Sequence, residues 1–191
     1  MANKKELLLL TEEDVLHSTI DCLSQHISLE ASGACTSQDL FQLLVRAASN
    51  CDSIENTAKG FQKSPCGKTL RNYFNKINNF NELEAQLNSA LISQVLPRIS
   101  KGKLKLAIDL NLIPYYGKPS AEEKPYIYRS QAKLGTCSFY AYATLYVIKK
   151  GKRLTLAIKG VKPTDTSVGI ITYLLDAIYS LNINIKTLYL D

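Results

Sequence analysis

The chain has 191 residues, enough for one medium domain or two small ones, and 46% of them are hydrophobic, the content of an ordinary globular protein, for which disorder is not the default. The formal charge is +6 and unevenly spread: residues 1–100 carry 9 basic against 11 acidic side chains, whereas residues 101–191 carry 14 against 6. A basic second half suits an anionic polymer as partner, although a solvated face accounts for such a surplus equally well.

The five cysteines are odd in number and form no C-x-x-C pair, so they read as reduced thiols rather than a disulfide frame or a zinc knuckle. His17 and His26 lack ligand-like spacing to each other or to a cysteine. The apolar run Leu7–Leu10 ends at Thr11-Glu-Glu-Asp, far short of the ~7–15 residues of a secretory core or the ~20 of a membrane span. The expectation is a cytoplasmic protein with no membrane partner.

Residues 11–27 are expected to be helical, with Thr11 and Asp14 as a capping pair and Leu16, Ile20, Leu23 and Ile27 at helical spacing. Thr36 and Asp39 repeat the pattern and open a second helix with Leu40, Phe41, Leu44 and Ala48 on one side. A short helix over 52–59 follows, then a turn with Gly60, Ser64, Pro65 and Gly67, then a helix over 68–77. On this last helix Leu70, Tyr73, Phe74 and Ile77 can face a core, leaving Lys68, Arg71, Asn72, Asn75 and Lys76 outward. With Lys63 before it, the pair has the composition of a helix-turn-helix with a basic recognition helix, although the turn is longer than usual. Arg and Asn are the side chains that best match base edges in a major groove. Helical hairpins that only pack are the competing reading.

Asn81 is expected to cap a longer helix with Leu83, Leu87, Leu91 and Val95, closed by Pro97. Residues 99–102 then separate a helical DNA-binding region, 1–100, from an extended region, 103–191. In the latter, 103–109 alternates Leu104, Leu106 and Ile108 against Lys105, Ala107 and Asp109, predicting a strand that ends at Asp109. Residues 114–135, with three prolines, two glycines, Glu122 and Glu123, read as a long loop. Residues 136–148 and 154–159, joined by Lys149-Lys-Gly-Lys-Arg153, read as a hairpin. A helix starting at 163–166 with Val168, Ile171, Leu174, Leu175 and Ile178 as its stripe, and a final strand over 182–191, complete the order strand, strand, strand, helix, strand.

Three antiparallel strands and a crossover helix return the last strand parallel to the first. Asp109 and Asp191 would then share one edge of the sheet. Two carboxylates so placed repel unless a cation lies between them, and Mg²⁺, or Mn²⁺, suits a site of one or two carboxylates completed by water and phosphate. A strand-end Asp is often merely a turn residue, which is the competing explanation.

The segments Ala107-Ile-Asp-Leu-Asn-Leu-Ile-Pro-Tyr-Tyr-Gly-Lys118, Gly135–Tyr146, Leu154–Ile158 and Leu188-Tyr-Leu-Asp191 together resemble the catalytic core of insertion-sequence transposases of the DDE class. The resemblance covers most of residues 103–191 and implies an α/β chain: an N-terminal helix-turn-helix region and an incomplete RNase H-like mixed sheet. It places the first catalytic and metal-binding acid at Asp109 and the second at Asp191. The implied activity is Mg²⁺-dependent cleavage at element ends with water as nucleophile, then attack of the freed 3′-hydroxyl on target DNA. The third acid, a Glu on a downstream helix, has no counterpart, and Glu122 and Glu123 precede the second Asp. The chain therefore reads as the N-terminal portion of a transposase, not fully active alone. Its expected partners are double-stranded DNA, at element ends and target, and a second copy or an intact transposase. Two other readings stay open: a non-catalytic DNA-binding fragment that recognises or represses at terminal repeats, and an RNase H-like nuclease of another family.

Overall fold

The computed structural model describes residues 10–33, 35–61, 66–77, 79–99 and 102–190. The chain divides into two compact units, Met1–Leu83 and Glu84–Asp191.

In the first unit, α1 (Glu12–His26) and α2 (Ser37–Ser49) both open on full capping boxes. The Thr11 hydroxyl accepts from the Asp14 N–H at 3.1 Å while the Asp14 carboxylate accepts from the Thr11 N–H at 2.9 Å, and Thr36 and Asp39 repeat this at 3.2 and 2.8 Å. Orphan amides at both helix starts are thereby satisfied. Two short helices follow, α3 (Ile54–Lys59), capped by Ser53, and α4 (Gly67–Phe74), which stops short of the expected Ile77 because Asn75 is already its C-cap. Leu16, Ile20, Leu40, Phe41, Leu43, Ala47 and Leu70 are buried. The stripe expected on α2 is rotated: Leu43 and Ala47 are buried, Leu44 is half-buried and Ala48 is exposed. Residues 43–45, 47 and 48 are all apolar, so periodicity alone leaves the inward direction open.

The division between the units falls inside α5 (Phe80–Val95). Asn79, not Asn81, caps this helix, its side-chain oxygen accepting from the Glu82 N–H at 3.2 Å. A 3-10 turn, Leu96–Arg98, with Pro97 near its start ends the helical stretch. The expected boundary at 99–102 includes Ser100 and Lys101, which lie outside the described residues.

The second unit holds one mixed sheet of β1 (Leu104–Pro114), β2 (Ile127–Lys133), β3 (Thr136–Lys149), β4 (Lys152–Val161) and β5 (Ile185–Leu190), with α6 (Ser167–Tyr179) between the last two strands. Across the sheet, β4 pairs β3, β3 pairs β1 and β1 pairs β5; β2 continues beyond β4 on the same side of β3. The pairs β1·β3, β2·β3 and β3·β4 are antiparallel, and β5 runs parallel to β1. Leu106, Ile108, Leu145, Val147 and Leu156 form the core with Leu174 and Ile178 of α6.

Three expectations are corrected here. The first strand does not end at Asp109 but runs on to Pro114, because the 14-residue β3 keeps offering a partner as far as Phe139. The loop over 114–135 contains β2, closed onto β3 by a two-residue turn at Leu134 (φ 53°) and Gly135 (φ 80°). Both turn residues have positive φ, as a tight hairpin following the sheet twist requires. Val168, expected in the α6 stripe, is 73% exposed, and the buried positions are Leu174 and Ile178.

Candidate metal centre and nucleic-acid surfaces

Asp109 stands on β1 opposite Thr144 of β3, one place past Ile108, which pairs with Leu190 as the last β1·β5 pair among the described residues. Its backbone carbonyl lies 3.5 Å from the Thr144 hydroxyl and from the Asn111 side-chain amide, which also approaches the Thr144 hydroxyl at 3.4 Å. These long contacts tie the backbone and leave the carboxylate to other partners. One carboxylate oxygen lies 4.0 Å from the Arg153 guanidinium, and the Asp109 side chain is 30% exposed. Arg153, in turn, sits over the Tyr146 ring, 5.1 Å from its centroid. A cation at 4.0 Å, itself 70% exposed, is a weak partner.

Asp191 lies outside the described residues. Among the described residues no group of three or more His, Cys, Asp or Glu side chains is clustered for a metal ion. As a hard oxygen donor with weakly engaged lone pairs, Asp109 fits one position in the shell of Mg²⁺ or Mn²⁺.

Glu123 is spent elsewhere. It accepts from the Ser120 N–H at 2.8 Å and from the hydroxyls of Tyr115 and Tyr140, both at 3.3 Å. The Ser120 contacts, followed by those hydroxyls, hold its carboxyl below the usual range, whereas desolvation and then the Glu123 charge push both phenols up. Tyr115 and Tyr140 meet edge to face at 5.4 Å. Tyr115 thus packs the loop, and the Tyr116 hydroxyl donates to the Leu134 carbonyl at 2.9 Å.

In the first unit the basic and amide side chains expected to face outward are all exposed, Lys68, Arg71 and Asn72 on α4 and Asn75 and Lys76 just past its end, while Leu70 is buried. Two of them are engaged. Arg71 reaches Glu55 of α3 at 3.0 Å, and the Lys76 ammonium lies 5.1 Å from the Tyr73 ring centroid. The ion pair is exposed on both sides, so it orients Arg71 more than it stabilises the fold. The Tyr73 hydroxyl donates to the Ser32 carbonyl, tethering α4 to the segment before α2. Lys63 lies outside the described residues.

Sequence reasoning missed a polar cluster where α5 meets β4. Asn88, buried to 6% exposure, accepts from the Ile158 N–H at 2.7 Å and donates to the Ile158 carbonyl at 3.0 Å. Glu84 accepts from the Gly160 N–H. A side-chain amide thus copies the donor and acceptor of a neighbouring strand on the outer edge of β4, an edge that would otherwise present unpaired groups. Burial, then hydrogen bonding to Glu84, pushes the Tyr173 phenol up to about 12. The sequence signal was the pair Glu84 and Asn88, four residues apart and so on one face of the helix. No helix among the described residues is long and apolar enough to cross a membrane.

No protein-family description, curated protein or solved structure matches the chain.

Proposed function

We propose that the chain belongs to the DNA-processing machinery of a DDE-type transposase, with the second unit carrying two acids of an RNase H-like phosphoryl-transfer centre and the first unit binding duplex DNA. The observation that carries this reading is the register of the parallel pair. Ile108 lies opposite Leu190, and each immediately precedes an acid, Asp109 on one strand and Asp191 in the other sequence. The strand order β4-β3-β1-β5, with only β5 parallel to β1, supports the same reading.

In this reading Asp109 and Asp191 hold Mg²⁺ or Mn²⁺, and the ion, when bound, offsets negative charge on the attacking and leaving oxygens at phosphorus. Arg153 stands beside Asp109 and supplies positive charge toward a phosphate. The outward side chains Lys68, Arg71 and Asn72 of α4, with Asn75 and Lys76 just past its end, are offered to duplex DNA, with Glu55 orienting the Arg71 guanidinium.

The test is a Mn²⁺ titration of the full chain, followed by thermal shift, alongside nicking of end-sequence DNA. Saturable stabilisation by Mn²⁺ is expected, reduced at least tenfold in apparent affinity in Asp109→Asn and in Asp191→Asn. Unchanged metal affinity in both variants overturns the centre. Duplex binding that persists without any metal response would instead favour the non-catalytic DNA-binding alternative.

A further inference from the structure

The two faces of the sheet differ. Core side chains of β1 and β3 point toward α6, and α5 meets the outer edge of β4 through Asn88 and Glu84. The opposite face follows from the pairing, because directly opposed residues project to the same side. It carries the pairs Lys105·Ile148, Ala107·Tyr146, Asp109·Thr144, Asn111·Tyr142 and Ile113·Tyr140. Tyr189 joins Ala107 from the β5 side, and Arg153 joins Ile148 from the β4 side. Several of its large side chains are open to solvent: Ile113 is 52% exposed, Tyr142 36%, Ile148 38% and Tyr189 46%. Contiguous exposed aromatic and aliphatic side chains of this kind mark a surface that binds something.

The chemistry of the face selects its occupant. Tyr142 and Tyr146 lie four residues apart on one strand, and small Ala107 separates Tyr146 from Tyr189, so the rings stand as separated platforms rather than one packed cluster. Four residues along a strand span about 13 Å, so Tyr142 and Tyr146 would take bases that are not adjacent on an extended nucleotide chain. The face also carries Lys105 and Arg153, with the Lys150-Gly151 turn at the same end of the sheet, and the Arg153 guanidinium carbon lies 5.1 Å from the Tyr146 ring centroid, within cation–π reach. Asp109 is the acid among these pairs, and Arg153 lies beside it. Aromatic rings interleaved with cations on an open sheet bind bases by their flat faces and phosphates by charge. A duplex conceals the flat faces of its bases; an unpaired strand exposes them.

We infer that this open sheet face binds an unpaired DNA strand, with bases stacked on Tyr142 and on the Tyr146–Arg153 pair and the backbone passing beside Asp109. The choice of DNA as the polymer rests on the function proposed above, but the binding needs no metal ion and does not use α4. Arg153 is a positioning residue in this arrangement, holding a phosphate next to Asp109.

The chain has 11 tyrosines and no tryptophan, so tyrosine emission reports stacking directly. The full chain is titrated in EDTA with an unlabelled oligo-dT of about 15 nucleotides, followed by tyrosine quenching and by competition against a labelled copy. Saturable quenching is expected, with Tyr142→Phe retaining affinity and Tyr142→Ala weakening it roughly 5- to 150-fold, the loss that one base–aromatic stack carries. Arg153→Ala should lower the magnitude of the salt slope by about 0.7. Asp109→Asn should keep or strengthen oligo-dT binding while lowering the apparent Mn²⁺ affinity at least tenfold, so the two proposals fail separately. Oligo-dT affinity equal in Tyr142→Ala and the parent, or no quenching in EDTA, overturns the inference. So does sedimentation showing that Tyr142→Ala turns a dimer into a monomer with oligo-dT binding unchanged, which would make the face a contact between two copies. Urea melts of each variant confirm that the sheet is intact.

Discussion

Replacing Asn88 with alanine removes both hydrogen bonds that α5 makes to Ile158 of β4, one at 2.7 Å and one at 3.0 Å. Each such bond contributes about 0.5–1.5 kcal/mol net, and the Ile158 N–H and carbonyl are left on the strand edge with poorer partners. Alanine returns at most ~0.7 kcal/mol through its better helix propensity. The expected loss is therefore about 2 kcal/mol, or a Tm drop of roughly 8–16 °C for a domain of this size class. Urea unfolding of the full chain, followed by near-ultraviolet tyrosine dichroism, measures it, and the midpoint should fall with little change in slope. Asn88→Asp should cost more, because it keeps the acceptor but turns a charge toward the Ile158 carbonyl. Asn88→Ala within 0.5 kcal/mol of the parent would refute the idea that this amide stands in for a strand.

Two further outcomes follow from local geometry. A Cβ on Gly67 would lie 2.0 Å from the Glu55 carboxylate and 3.0 Å from its Cα, so Gly67→Ala should destabilise the first unit by ~1–3 kcal/mol. Adding Glu55→Ala should recover only part of this in thermal melts, since the backbone contact remains; a Gly67→Ala protein as stable as the parent contradicts the packing. Tyr173 ionises at about 12 in the folded chain against ~10 unfolded, so its contribution to stability is complete below pH 10 and is lost as pH rises toward 12. Tyr173→Phe should flatten the loss of stability between pH 10 and 12, measured by urea midpoints, and an unchanged slope would rule out the buried phenol.

What could be read from the residues was local. The capping boxes of α1 and α2 need only residues three apart, and both are present where Thr11-Asp14 and Thr36-Asp39 indicated. The β3–β4 hairpin was legible for the same reason: Lys150 and Gly151 both take positive φ in a two-residue turn between alternating strands. β2 was hidden because the prolines and glycines around it spoke for a loop, although Leu134-Gly135 was a turn signal within that segment. The metal candidate was half legible. Asp109 could be picked from its strand, but its Arg153 neighbour, 44 positions later, could not.

By itself, then, the amino-acid order determined, among the described residues, the six α-helices, four of the five strands and the parallel run of β5 beside β1, since hydrophobic period, caps and the direction of a crossover act within or between adjacent segments. Tertiary structure decided how far β1 extends, which side of α2 faces inward, that Asn88 closes the edge of β4, and that Glu55 holds Arg71. Each of these depends on a partner strand or side chain brought close only when the chain is folded, and no spacing along the sequence encodes that distance.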